Sequence, residues 1–341
     1  MKKLLHILLL TVLIILISLY GKLILNEYIL QGGTNTPKVS TKTKQKVEKT
    51  SANAISTLLG ENSESLLAQF GEPDRIDPSA YDYQWWVYNK DLTHYVQFGV
   101  QNDKIVTIYS GGQNVNVAPF HFGQQYEEIS KQFSFSNEVS VDKNNYQFEL
   151  SEQEVQQQPL ISLENGWAQL YFDNLTKELV GIRYLDADTL LKQRPYQLIY
   201  TGQLVKPAQV SDAQLQKIEQ GNAKQILDTT NIIRMHHNLH LLNWDDQTSQ
   251  VAYLHSKDMN DQNYFSHDSP KFGSLGDRLH QGNVTFHMAG ENIASNYPDG
   301  VAAVQGWLNS EGHRKNLLDS QYTAIGIGVD NKYYTQNFIL K

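Results

Sequence analysis

The sequence predicts an α+β protein with two folded domains behind an N-terminal apolar segment. Three observations lead there. The length of 341 residues exceeds one ordinary core at roughly 150 residues per domain. The middle of the chain alternates apolar and polar residues between turn signals, as strands of a half-buried sheet do. The last third carries helical apolar stripes before, between and around further strands, which is the pattern of a layered domain.

Residues 1–25, MKKLLHILLLTVLIILISLYGKLIL, place Lys2 and Lys3 before an apolar run from Leu4 to Leu25, interrupted mainly by His6, Gly21 and Lys22. A membrane helix needs roughly 20 such residues, whereas a signal-peptide core has about 7–15. No Ala-x-Ala-like cleavage site follows, so residues 1–30 read as a retained anchor in preference to a cleaved signal. Lys2 and Lys3 favour a cytoplasmic N-terminus. The remainder is then expected outside a cell membrane crossed once, or secreted if the segment is removed. Lys38, Lys42, Lys44, Lys46 and Lys49 lie on the outer side in this reading, beyond the stretch where charge bias acts most strongly.

Residues 31–50, QGGTNTPKVSTKTKQKVEKT, are poor in apolar groups and read as a tether. The first 50 residues hold eight Lys and two Glu, a net charge of +6, so the remaining chain carries −8 − 6 = −14. Such a body does not suit nucleic acid, whose binding rests on neutralising phosphates. The absence of cysteine removes disulfides, thiol catalysis and thiolate metal sites.

Residues 51–204 read as a smaller α+β domain. SLLAQFGEPDRI is a helix stopped at Gly71 and Pro73, since proline lacks an amide to donate and glycine tolerates a left-handed cap. YDYQWWVY supplies strand residues, and Val96, Phe98 and Val100 alternate before a polar turn at residues 101–104 and a partner strand through Val106 and Ile108. The order recurs, with FGQQYEEISKQF as helix and WAQLYFDNLTKELVGIRYL as strand, turn and strand, which suggests an internal duplication. The Trp and Tyr residues read as core in preference to a carbohydrate-stacking surface. No acid pair, nucleophile with base or phosphate loop stands out here.

Residues 205–220 hold a linker and a helix start at Ser211, with the boundary near Pro207. In the domain spanning 221–341, Ile226, Ile233, Met235 and Leu239, then Val251, Leu254 and Met259, predict two helices. Val301, Val304, Trp307 and Leu308 form a third stripe, and AIGIGV and YYTQNFIL read as strands.

Eight of the eleven histidines fall in this domain. His236, His237 and His240 lie at a helix end, where imidazole can meet free carbonyls or the dipole, and His255 and His280 read as surface or packing residues. His267, in YFSHDSP, and His313, after Gly312, differ because both lie in breaks, where binding groups tend to be carried. Glu291 lies between them in MAGENIA. Two imidazoles and a carboxylate would suit zinc, with a position left for water.

NIIRMHHNLHLLNWDDQTSQVAYLHSKDM, FSHDS, GENIA, WLNSEGHRKNLL and YTAIGIGV, in that order, resemble the CAP superfamily of cysteine-rich secretory, antigen 5 and pathogenesis-related 1 proteins in its bacterial form, over about residues 221–341. FGEPDRIDPSAYDYQWWVY and VQNDKIVTIY resemble the CAP-associated N-terminal domain. The resemblance implies a three-layer α-β-α sandwich whose cleft holds two His and two acidic residues. His267, Glu291 and His313 match three of them. The fourth position carries Ser310 where the full tetrad has Glu; Glu311 is one residue on, rotated about 100° on a helix of 3.6 residues per turn. Asn292, Arg314 and Asn316 are expected to orient loops, with Arg314 paired to Glu311 or Asp319. Asn231, Arg234 and Trp244 are expected to define the fold.

Three functions remain open. One is a non-catalytic envelope module binding a lipid, a wall component or a protein partner in the cleft, with zinc held reversibly between His267 and His313. Another is a zinc-assisted hydrolase in which Glu291 takes the proton of a metal-bound water; a metal-free scheme with Ser266 as nucleophile is weaker, because an adjacent serine reaches its neighbour's imidazole poorly. The last is a scaffold that docks another membrane protein through the aromatic N-terminal domain.

Overall fold

In a computed structural model the described residues are 53–141 and 145–341. The expected anchor and tether lie outside them. Among the described residues no helix is long and apolar enough to cross a membrane.

The N-terminal domain starts with a 3-10 turn at Ile55–Leu58 and helix α1 (Glu64–Phe70), which stops where Gly71 adopts φ 73°. Strands β1 (Arg75–Pro78), β2 (Gln84–Tyr88), β3 (Val96–Gln101) and β4 (Lys104–Ser110) follow as an antiparallel meander. After α2 (Tyr126–Gln132), β5 (Glu138–Val141) and β6 (Tyr146–Glu149), helix α3 (Glu152–Gln157) is started by a Ser151–Glu154 capping box. β7 (Leu160–Leu163), β8 (Gly166–Phe172) and β9 (Leu179–Leu185) return to the main sheet; α4 (Ala187–Gln193) and β10 (Gln197–Tyr200) close the domain. The main sheet has the order β1-β2-β3-β4-β9-β8-β7, while β10, β6 and β5 form a small second sheet. The β3-β4 and β8-β9 hairpins meet at the centre of the main sheet, with β2 and β7 outside them. Its two halves thus match in order, the second carrying β5, β6 and α3 as an insertion.

Both faces of this sheet are buried, and the two-residue period of a strand sorts them. Phe98, Ile108, Leu170 and Ile182 face Leu66 of α1 and Ile129 of α2. Trp85, Val87, Tyr109 and Tyr171 lie on the opposite face, packed with Ile232 and Val301 of the C-terminal domain. Most of the aromatic strand residues are therefore core, and Trp85, Tyr109 and Tyr171 are core between the domains.

The C-terminal domain begins with α5 (Asp212–His236), opened by a Ser211–Gln214 capping box. Then come β11 (Asn243–Trp244), α6 (Asp246–Gln262), α7 (Leu275–Gln281), β12 (Met288–Ser295), α8 (Gly300–Leu308), α9 (Glu311–Leu317), β13 (Ala324–Asp330) and β14 (Tyr333–Leu340). The sheet order is β11-β13-β14-β12. Ile325, Ile327 and Val329 of β13 face α5 and α8, meeting Ile226, Ile233, Val304 and Trp307. Ala324 and Ile339 face the other way, toward Val251 of α6 and Leu279 of α7. Helices on both sides of one sheet make the α-β-α sandwich that the resemblance implies.

The glycines of AIGIGV have a packing reason. A Cβ at Gly326 would lie 2.1 Å from the Thr248 carbonyl carbon, and one at Gly328 would lie 2.0 Å from the Tyr253 nitrogen. The backbone of α6 rests directly on β13, and only hydrogen side chains fit between them. Two details differ from the sequence reading. Leu254 sits on the outer side of α6, 51% exposed, and Leu239 lies beyond the end of α5.

Candidate functional site

Glu291 stands in the middle of β12, with its side chain only 3% exposed. One carboxylate oxygen accepts from Arg278 Nη2 at 2.5 Å, and the other lies 3.0 Å from His267 Nδ1. His267 is carried by the loop over residues 263–274. Arg278 fixes that loop as well, donating from Nη1 to the carbonyls of His267 at 2.7 Å and Gly273 at 3.0 Å. Ser269 ties it to α6 through Asp258 Oδ2 at 2.7 Å. The imidazole is thus clamped at its backbone and at Nδ1, while its side chain remains half-exposed.

His313 lies in the first turn of α9, not in a loop. α8 ends at Leu308 and a new helix starts at Glu311, so the break precedes the histidine. Its Nδ1 is 2.8 Å from the Ser310 hydroxyl. The backbone around it is held by Asn292 Nδ2, which donates to the His313 carbonyl at 3.1 Å, and by Asn316 Nδ2, which donates to the Glu291 carbonyl at 3.0 Å. Asn292 and Asn316 therefore lock β12 to α9. Glu311, the other candidate acid, is 88% exposed and pairs with Lys315 at 3.0 Å, one turn along its own helix.

Electrostatics separate the two imidazoles. The hydrogen bond to Glu291 raises the pKa of His267 above the ordinary histidine value, against the opposing effect of burial. Burial lowers that of His313, and the nearby positive charge of His267 lowers it further. The two shifts run in opposite directions, so His267 holds its proton more readily than His313 does. With Nδ1 engaged in both, Nε2 is the edge left for a ligand, the arrangement in which a neighbouring acceptor fixes ring orientation and tautomer.

His255 belongs to this cluster and was not recognised from the sequence. It is 1% exposed, its Nε2 lies 3.1 Å from the Ser266 carbonyl and 3.8 Å from Glu291 Oε1, and burial lowers its pKa. Its position in an apolar helical stretch reads as packing; only the loop that covers it reveals the rest. Arg278 gave no signal either, beyond sitting near the end of a short helix. Ser266 accepts a backbone hydrogen bond from Asp268 and makes no nucleophile–base pair with His267.

The other motif positions singled out from the sequence have structural partners. Arg314 pairs with Asp173 of the N-terminal domain at 2.8 Å, instead of Glu311 or Asp319. Asn231 bonds both backbone groups of Leu242, and Arg234 donates to the carbonyls of His240, Leu317 and Asp319. His236 and His240 bond the carbonyls of Gly111 and Tyr322 on other segments, not those of their own helix end. Trp244 lies at the sheet edge, partly exposed, its indole bonded to Asp246.

Among the described residues no three His, Asp or Glu side chains are grouped to hold a metal ion. Zinc ordinarily takes at least three protein ligands. Here Glu291 is spent on Arg278 and His267, and Ser310 replaces the fourth acid, which leaves two imidazole nitrogens. That is fewer protein donors than a resident zinc takes.

Fold and site together define a CAP protein of extracellular type with an additional N-terminal domain. The family models agree: the CAP-associated N-terminal model matches residues 59–196, and that of the cysteine-rich secretory protein family matches residues 227–340. The chain belongs to the cysteine-rich secretory protein, or CAP, family. It is 50% identical over 289 residues to the membrane protein YlbC of Bacillus subtilis (strain 168), covering 84% of each chain. YkwD of the same organism is 40% identical over 120 residues, which is 35% of this chain and 47% of that one. A crystal structure of an extracellular SCP-domain protein from Bacillus anthracis str. Ames is 56% identical with a TM-score of 0.82, over 88% of this chain and 99% of that one. A cysteine-rich secretory protein of Staphylococcus aureus is 27% identical with a TM-score of 0.76, over 85% and 96%.

Proposed function

We propose that this protein is a membrane-anchored, non-catalytic binding module of the bacterial cell envelope, presenting the His267–His313 cleft to an extracytoplasmic ligand. The location rests on the apolar segment at residues 1–25, the relative named as a membrane protein and the structural neighbour named as extracellular. The observation that carries the binding role is the state of Glu291. A general base must be free to take a proton from water within hydrogen-bond reach. Glu291 is buried, with one oxygen on a guanidinium and the other on an imidazole, so it orients His267 instead. A divalent cation joins the two imidazoles when the ligand itself supplies the missing donors.

One aromatic face of the N-terminal sheet is packed against the C-terminal domain, which gives the scaffold reading less support. Zinc titration of the full chain by calorimetry, against the His267→Ala/His313→Ala double variant, tests the proposal. Weak or ligand-dependent zinc uptake that the double variant abolishes supports it. Tight stoichiometric zinc with hydrolytic turnover that Glu291→Gln removes would establish the enzyme instead.

A further inference from the structure

Where the two domains meet, a cavity of about 390 Å³ opens between α3 of the N-terminal domain and the end of α8. That size falls within the roughly 300–1,000 Å³ of small-molecule sites. Its wall is made of amides and hydroxyls, including Gln157 and Gln158 from one domain and Gln305, Tyr297 and Ser310 from the other. The single carboxylate there, Glu154, is already committed to the Ser151 amide and hydroxyl in the capping box. Gln305 is 3% exposed; it donates from Nε2 to Tyr109 at 3.1 Å, and its Oε1 has no protein partner.

We infer that this cavity is a binding site for a neutral saccharide unit, continuous in function with the His267–His313 cleft. The inference extends the proposed envelope-binding role and rests on it. Three features select this chemistry. An anionic ligand would meet no cationic side chain in the wall and would face the Glu154 carboxylate, losing its hydration uncompensated. An apolar one would bury amide groups without partners. Sugar hydroxyls and acetamido groups both donate and accept, as amide side chains and hydroxyls do. The net charge of −14 on the chain beyond residue 50 further disfavours polyanionic wall polymers.

Ser310 links the two sites. It lines the cavity, and its hydroxyl lies 2.8 Å from His313 Nδ1. When the imidazole donates to it, the Ser310 proton is free to point at a sugar oxygen, so an occupied cavity favours the tautomer that leaves His313 Nε2 as an acceptor. The position where the full family tetrad has an acid here serves as a hinge between cleft and cavity. Half of the wall comes from the N-terminal domain, which gives that domain a role in recognition.

The test is calorimetric titration of the full chain with chitotetraose, a neutral N-acetylated saccharide, on wild type and on the Gln157→Ala/Gln158→Ala double variant. Saturable binding weakened about ten-fold or more in the variant is expected, as loss of two or more modest hydrogen bonds gives, with zinc uptake unchanged. Absence of saturable binding to wild type, or equal affinity in a variant with wild-type circular dichroism and melting, overturns the inference. Zinc uptake measured on the same samples keeps the two ideas apart. Cleft binding without saccharide binding defeats only the cavity, and saccharide binding without any His267- or His313-dependent event defeats only the cleft.

Discussion

Replacing Glu291 by Gln isolates what the buried carboxylate does. Arg278 has a side chain only 4% exposed, and its one carboxylate partner among the described residues is Glu291. Removing one partner of such a buried pair costs about 3–5 kcal/mol. Gln retains an oxygen that can accept from Arg278, worth about 1 kcal/mol, and the two carbonyls on Nη1 remain. The half-exposed His267 bond is screened by solvent and is left out of the sum. The expected loss is therefore about 2–4 kcal/mol, read from urea unfolding followed by tryptophan fluorescence and circular dichroism. A second readout is the titration of His267 by NMR. Its pKa is raised in the folded state chiefly by Glu291, so it should fall in the variant. A raised histidine pKa adds stability that is fully present below the unfolded value, about 6.5, and is lost as pH rises through the folded value. The gap between wild type and variant should accordingly be widest below about pH 6.5 and narrow as pH rises through the folded His267 value, leaving the Arg278 contribution. A variant within about 0.5 kcal/mol of wild type, the range of an ordinary surface change, or an unmoved His267 titration would refute the reasoning.

Three further outcomes follow from the packing. Gly328→Ala should destabilise the C-terminal domain by about 1–3 kcal/mol or more through overpacking against α6, measured by thermal melting; a neutral effect would mean that α6 is not seated as described. Asp299→Asn removes the charge that faces Arg183, a wholly buried guanidinium 2.8 Å away, while keeping an oxygen to cap α8. Urea unfolding should show a loss of about 3 kcal/mol, and Arg183→Met combined with Asp299→Asn should recover part of it. Burial lowers the pKa of His236 to about 4, so the unfolded chain binds the extra proton between about pH 4 and pH 6.5 and stability should rise with pH across that window. His236→Gln, which can still donate to the Gly111 carbonyl, should flatten that slope in acid unfolding monitored by fluorescence.

How much of this was legible depended on whether the signal was local. The third apolar stripe and the strands AIGIGV and YYTQNFIL announce themselves by period, and Ser211 by its capping box. β12 does not: Gly290, Glu291 and Asn292 interrupt any alternation, and the strand is recognisable only once β14 pairs along it. The union of His267 with Glu291 came from motif order, since residues 24 apart carry no periodic signal. His255 stayed hidden because a histidine beneath a loop and a histidine on a packed helix face look alike until the loop is placed. Arg314 was assigned the nearest acids, Glu311 and Asp319, whereas its partner Asp173 lies 141 residues away in another domain. Charge pairing is set by tertiary proximity, which sequence distance does not measure.

The aromatic strands raise the same issue for domains. A run such as YDYQWWVY states that both sides of a strand want burial, but not which domain supplies the cover. The C-terminal domain covers one side, with Arg183 lying 6.0 Å from the Trp85 ring centre and 5.8 Å from that of Tyr109 while it pairs with Asp299 across the interface. The docking reaches the segment that carries His313. Asn309, between α8 and α9, accepts from the Asn174 amide and donates to the Phe172 carbonyl, and Arg314 of α9 holds Asp173. Both contacts grip one short segment of the N-terminal domain, residues 172–174, and both flank His313 along the chain. The orientation of His313 therefore depends on the N-terminal domain as well as on its own sandwich, and a CAP domain excised from this chain would present that imidazole less firmly.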